Sequence, residues 1–99
     1  MLNLDPKYAA IVQKILSEHI PNKTVWVYGS RIKGKSHEGS DLDLVIVSEI
    51  SGEELSAVRN AFSESNLPIL VDILDWSTLP ENFKSEIENA HEIFQTGAR

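Results

Sequence analysis

Apolar positions recur along the chain in two rhythms, and the switches between them predict the order of elements. Tyr8, Ile11, Val12, Ile15 and Leu16 fall at helical spacing behind Asp5-Pro6, a capping residue followed by one suited to the first helical turn. This helix is expected to end near Ile20-Pro21. Residues 24 to 28, TVWVY, are β-branched and aromatic and stop at Gly29, which predicts a first strand. Residues 30 to 34 have room only for a short helical turn. Residues 41 to 47 alternate and then become wholly apolar, as in a strand buried along much of its length. Ser51 and Glu54 have the spacing of a capping box, and Leu55, Val58, Ala61 and Phe62 follow as the buried stripe of a second long helix.

Residues 67 to 76, LPILVDILDW, predict a third strand with Asp72 inside an apolar run. Pro80 then opens a last helix carrying Phe83, Ile87 and Ala90, and residues 91 to 94 either finish it or leave as an extended tail. The predicted order is α-β-(short α)-β-α-β-α. It implies a small α/β (α+β) layer in which helices back a mixed three-stranded sheet, with residues 1–99 forming one domain. Neither repeats nor low-complexity segments interrupt it.

Charge adds an asymmetry. Residues 1 to 47 carry six Lys/Arg against five Asp/Glu, and residues 48 to 99 carry three against ten. An acidic second half disfavours nucleic acid as a partner, since sequence-independent binding needs several cations along one face. The chain has no cysteine, so disulfides and thiolate metal sites are excluded. The N-terminal residues lack the basic start and apolar run of a signal peptide, and no window reaches the ~18 apolar residues of a membrane span. The expected compartment is the cytoplasm.

Residues 29 to 43, GSRIKGKSHEGSDLD, fit two incompatible nucleotide-binding patterns. GSRIKGKS satisfies the P-loop pattern, with Lys35 in the phosphate-binding place and Ser36 in the metal-binding place. The same stretch is also Gly29-Ser30, ten residues, then Asp41-x-Asp43. A P-loop needs a long helix behind GK[ST] and a crossover to a parallel strand, and only four residues separate Ser36 from Asp41. So short an excursion can return only antiparallel to the first strand, which favours the second pattern.

Residues two apart on a strand share a face, so Asp41 and Asp43 present paired carboxylates. If the helix after Ser51 makes the usual crossover, the third strand runs parallel to the second and can bring Asp72 beside them. Three such carboxylates suit hard divalent ions, Mg²⁺ shared with phosphates above all. Taken singly, Asp41 could be a turn residue, Asp43 an exposed face residue, and Asp72 an edge-strand charge that blocks aggregation. Together, behind a strand-Gly-Ser turn, they point to function. Arg31 adjoins the turn and is a candidate phosphate contact, whereas Lys33 reads as a solvated loop residue. Asp75 reads as solvated or as a cap, and His19, His37 and His91 as surface or helix-end residues, His37 being a weak candidate for touching nucleotide.

These residues, GSRIKG followed by SDLDL and the VDILDW strand, resemble the signature of the DNA polymerase β-like nucleotidyltransferases, and the compact whole resembles the minimal nucleotidyltransferase (MNT) domain. The resemblance implies attack of an acceptor hydroxyl on the α-phosphorus of a nucleoside triphosphate such as ATP, with loss of pyrophosphate. It assigns Asp41, Asp43 and Asp72 to catalysis and to two Mg²⁺ ions, with Asp72 serving the ion that activates the hydroxyl. Gly29 and Ser30 would grip the β- and γ-phosphates, with Arg31 helping.

Small MNT proteins pair with HEPN-domain ribonuclease toxins and inactivate them by adding AMP to a tyrosine, so the resemblance further implies an antitoxin enzyme. Ninety-nine residues leave no acceptor-binding domain, so the acceptor is expected to bring its own docking surface. Trp26 and Tyr28, or Phe83 and Ile87, are candidates to meet it, although burial in the protein's own core explains each of them first. Two other readings remain open: an antitoxin that neutralises by binding alone, and a transferase acting on a small molecule.

Overall fold

The computed structural model describes residues 2–34 and 39–97. Helix α1 (Pro6–His19) starts where Asp5 accepts a hydrogen bond from the Lys7 amide at 2.9 Å. Strand β1 (Val25–Tyr28) follows, then a single turn of helix, α2 (Ser30–Lys33), and strand β2 (Leu42–Ile46). Helix α3 (Gly52–Ser63) begins in the expected capping box. Ser51 Oγ accepts from the Glu54 amide at 3.1 Å, and the Glu54 carboxylate accepts from the Ser51 amide at 3.0 Å. Strand β3 (Val71–Asp75) runs into a 3₁₀ turn at Trp76–Thr78, then helix α4 (Glu81–Asn89) and strand β4 (His91–Gln95).

The sheet order is β3-β2-β1-β4. As expected, β1 and β2 are antiparallel and β2 and β3 parallel. The sheet has four strands rather than three. Residues 91–95 neither complete α4 nor trail away but pair antiparallel with β1. They are held there by long-range contacts: the His91 ring stacks on Trp26 at 3.8 Å, and Gln95 Nε2 donates to the carbonyls of Ile20 and Lys23 at 2.9 and 2.8 Å.

Strand alternation gives the sheet two apolar faces. Val25, Val27, Leu42, Leu44, Ile46 and Ile73 pack under α1 and α3 through Val12, Leu16, Val58 and Phe62. On the opposite face Tyr28 and Val45 meet Ile87 of α4, with Trp26, Leu74, Trp76 and Phe83 around them. Trp26, Tyr28, Phe83 and Ile87 therefore satisfy one another, and the surface offered by residues considered for docking is largely consumed in this second core. On the outer edge, Leu42 N–H bonds to Leu70 C=O at 2.9 Å, so the backbones of Leu70, Asp72 and Leu74 face β2 and that of Ile73 faces outward. Arg59 of α3 covers this outward carbonyl, Nε and Nη2 donating to Ile73 O at 3.2 and 2.7 Å.

Candidate active site

Strand register assembles the site. Asp43 of β2 lies opposite Asp72 of β3 on one side and Tyr28 of β1 on the other, and Tyr28 lies opposite His91 of β4. Asp72, Asp43, Tyr28 and His91 thus form one row across the sheet, on the face that α4 only partly covers. Asp41 stands just before β2, two residues from Asp43, and is exposed, as is Asp72, while Asp43 is half-buried.

Gly29 turns the chain out of β1 with φ 85° and ψ −158°, a conformation essentially closed to other residues. A second constraint acts at the same place. A Cβ on Gly29 would overlap the Asp43 carboxylate oxygen and lie 3.3 Å from its Cγ, so glycine is what lets the acid pack against the turn.

Among the described residues, Asp41, Asp43, Asp72 and the Ser30 hydroxyl take part in no hydrogen bond or ion pair with the protein. The Asp43 carboxyl is held above the usual range, first by burial and then by the charges of Asp72 and Asp41. The three do not close on one point by themselves: among the described residues no group of three His, Asp or Glu side chains stands ready-made to hold a metal.

Arg31 is 4 % exposed, and its guanidinium donates to backbone carbonyls, Nη2 and Nε to Ser40 O at 2.6 and 3.1 Å and Nη1 to Asn3 O at 2.7 Å. Its backbone carbonyl accepts from Asn3 N–H at 2.6 Å. Arg31 thereby ties the segment entering Asp41 to the N-terminal residues. Asp75 caps the 3₁₀ turn, accepting from Ser77 N–H at 3.0 Å, and takes no part in the row. His91 opens β4, its Nδ1 3.0 Å from Ile87 O at the end of α4, and is half-buried against Trp26. Lys35, Ser36 and His37 lie outside the described residues; the antiparallel return of β2 nevertheless removes the parallel crossover that a P-loop requires.

Tyr28 was missed as a site residue because its composition reads as core. The available signal was position: it immediately precedes Gly29 on a strand whose short return must bring it near Asp43. Two larger hollows, of about 330 Å³ beside Lys23 and Glu54 and about 210 Å³ beside Arg59 and Leu70, touch none of the row.

The fold is that of a nucleotidyltransferase, and residues 11–97 match the family described as Polymerase beta, Nucleotidyltransferase; the chain belongs to that family. One relative, described as a probable protein adenylyltransferase MntA from Haemophilus influenzae (strain ATCC 51907 / DSM 11121 / KW20 / Rd), is 44 % identical over 96 residues, covering 95 % of this chain and 84 % of the relative. Two crystal structures share the fold. One, described as a toxin-antitoxin with AMP-PNP, superposes with a TM-score of 0.71 at 18 % identity, over 89 % of this chain and 73 % of the other. The second, a mutant of the toxin-antitoxin MntA-HpeT, gives 0.70 at 15 % identity over the same shares. Among the described residues no helix is long and apolar enough to cross a membrane.

Proposed function

We propose that this nucleotidyltransferase moves AMP from ATP to a tyrosine hydroxyl of a HEPN-type toxin and so acts as its antitoxin. The observation that carries the reading is the pairing of Asp43 with Asp72 in register, beside a glycine turn that only glycine can make, with no donor or cation among the described residues engaging either acid. The 44 % identical relative, described as a protein adenylyltransferase, supports AMP and a protein acceptor. The toxin-antitoxin assemblies that share the fold support the class of partner.

In this reading Asp41, Asp43 and Asp72 hold Mg²⁺. The donor set fits: hard oxygen ligands that no described residue engages, with Asp43 held above its usual pKa first by burial and then by the charges of Asp72 and Asp41, the part that a cation would reverse. When bound, Mg²⁺ supplies positive charge for the entering and leaving oxygens. The chain's own contribution is placement. The Gly29 backbone and the Ser30 hydroxyl bind the β- and γ-phosphates, Asp72 lies on the acceptor side at the sheet edge, and Arg31 keeps the strand entry to Asp41 in position. The acceptor oxygen bonds to the α-phosphorus as the bond to pyrophosphate breaks.

The test is transfer of label from α-labelled ATP to the partner, with release of pyrophosphate. Asp43→Asn should abolish transfer, a loss of at least ~10²–10³-fold, yet still form the complex. Transfer of γ-label, or activity lost in Lys35→Ala but kept in Asp43→Asn, would restore the P-loop. Full protection from the toxin by Asp43→Asn at matched expression would leave binding alone as the mechanism.

A further inference from the structure

Tyr28 occupies the third place in the cross-sheet row, next to Asp43 in register and next to Gly29 in sequence. It joins the two halves of the site. Its ring is fixed edge-on by Phe83, with centroids 5.8 Å apart, and 9 % of the residue is exposed. No described residue hydrogen-bonds its hydroxyl. Among the described residues no fully buried side-chain N or O lacks a partner, so the accessible part of Tyr28 includes this oxygen. It borders a small cavity of about 30 Å³ lined also by Gly29, Lys33, Phe83, Glu86 and Ile87. A largely buried aromatic body with a polar tip that no described residue engages, next to a glycine turn in sequence and to a row of acids in register, is suited to contact a ligand. A tyrosine hydroxyl carries its proton at neutral pH and can act as a donor.

We propose that the Tyr28 hydroxyl is a further substrate-contacting group, donating a hydrogen bond to an oxygen of the nucleotide's phosphate chain. The inference rests on the nucleotidyl-transfer reading and extends it to a residue outside the Gly-Ser and Asp-x-Asp signature. Phosphate oxygens are the acceptors that a nucleotide held at the Gly29 turn would bring beside Tyr28, and a neutral donor there adds no charge to compete with the cations the acids attract.

The experiment compares wild type, Tyr28→Phe and Tyr28→Leu in the full chain. Binding of α,β-methylene-ATP, which cannot transfer AMP, and of tripolyphosphate is measured by calorimetry with Mg²⁺, alongside transfer from ATP to the partner. Tyr28→Phe should keep the wild-type melting temperature and lose about ten- to a hundredfold in affinity for both ligands and in kcat/KM for ATP, the range of a hydrogen bond to a charged group. Tyr28→Phe within twofold of wild type throughout, with losses confined to Tyr28→Leu, would reduce Tyr28 to ring packing and overturn the proposal. A loss confined to the methylene analogue, with tripolyphosphate unaffected, would place the contact on the nucleoside and overturn it equally. So would AMP found covalently on this chain and absent in Tyr28→Phe, which would make the hydroxyl an acceptor. Wild type that binds the analogue yet transfers nothing would sink the transfer reading, while the binding comparison would still decide on Tyr28.

Discussion

Gly29→Ala should be among the most damaging single-atom additions the chain can suffer, for two separable reasons. Alanine at φ 85°, ψ −158° incurs backbone strain of about 1–3 kcal/mol. Its Cβ would also overlap the Asp43 carboxylate oxygen, so the acid must leave its place against the turn. The two costs can be resolved by a double-mutant cycle on unfolding free energy. In an Asp43→Ala background the carboxylate is gone, and the nearest remaining atom of residue 43, its Cβ at 3.4 Å, is an ordinary contact. The cost of Gly29→Ala should then fall to the conformational part, giving a coupling of about 0.5–3 kcal/mol between the two positions. Urea denaturation of the four proteins measures it, and nucleotidyl transfer should be lost in each of the three variants. Additive stabilities, or Gly29→Ala with wild-type transfer, would refute the claim that glycine is there to admit the acid.

Arg31→Ala should destabilise the fold by about 2–4 kcal/mol, because two carbonyls lose a charged donor in a buried setting, and should lower transfer by loosening the approach to Asp41. Arg31→Lys cannot reproduce the fork and should recover little of the stability, as denaturation will show; a phosphate contact would instead leave stability untouched and weaken only ATP binding. The raised pKa of Asp43 has a defined sign. Without divalent ions the folded state binds its proton more tightly than the unfolded chain does, so this group's contribution to stability is full below the ordinary aspartate range and is lost as pH rises through the raised value. Asp43→Asn should therefore melt higher than wild type at neutral pH in EDTA, with the difference shrinking as the pH is lowered; a difference that stays constant with pH would exclude this origin.

What could be read from the chain alone follows from which interactions are local. The β-branched and aromatic run in residues 24 to 28, the alternation in 41 to 47 and the capping box at Ser51 are properties of neighbouring residues, and each has its expected structural counterpart. Placing Asp72 opposite Asp43 needed one further step, the parallel crossover through α3. The fourth strand was not legible because HEIFQ is short and holds only two apolar residues, Ile93 and Phe94, side by side rather than alternating. What fixes it is 65 to 75 residues away in sequence: Trp26 for His91, and the Ile20 and Lys23 carbonyls for Gln95. The bracing bonds of Arg31 were illegible for a related reason, since only the fold brings Asn3 and Ser40 together on its guanidinium.

The Arg59 contact at the sheet's outer edge bears on how another molecule can reach Asp72. An unguarded edge strand invites a visiting strand to extend the sheet through backbone pairing. On β3 the outward Ile73 carbonyl is already taken by the forked guanidinium of Arg59, so any visitor would first have to strip that side chain away. Asp72 stands one residue from this blocked position yet points out of the sheet plane, leaving the face as its open side. A hydroxyl that reaches it must therefore come on the tip of a side chain or small molecule lowered from above, and a peptide laid alongside the strand would be turned away.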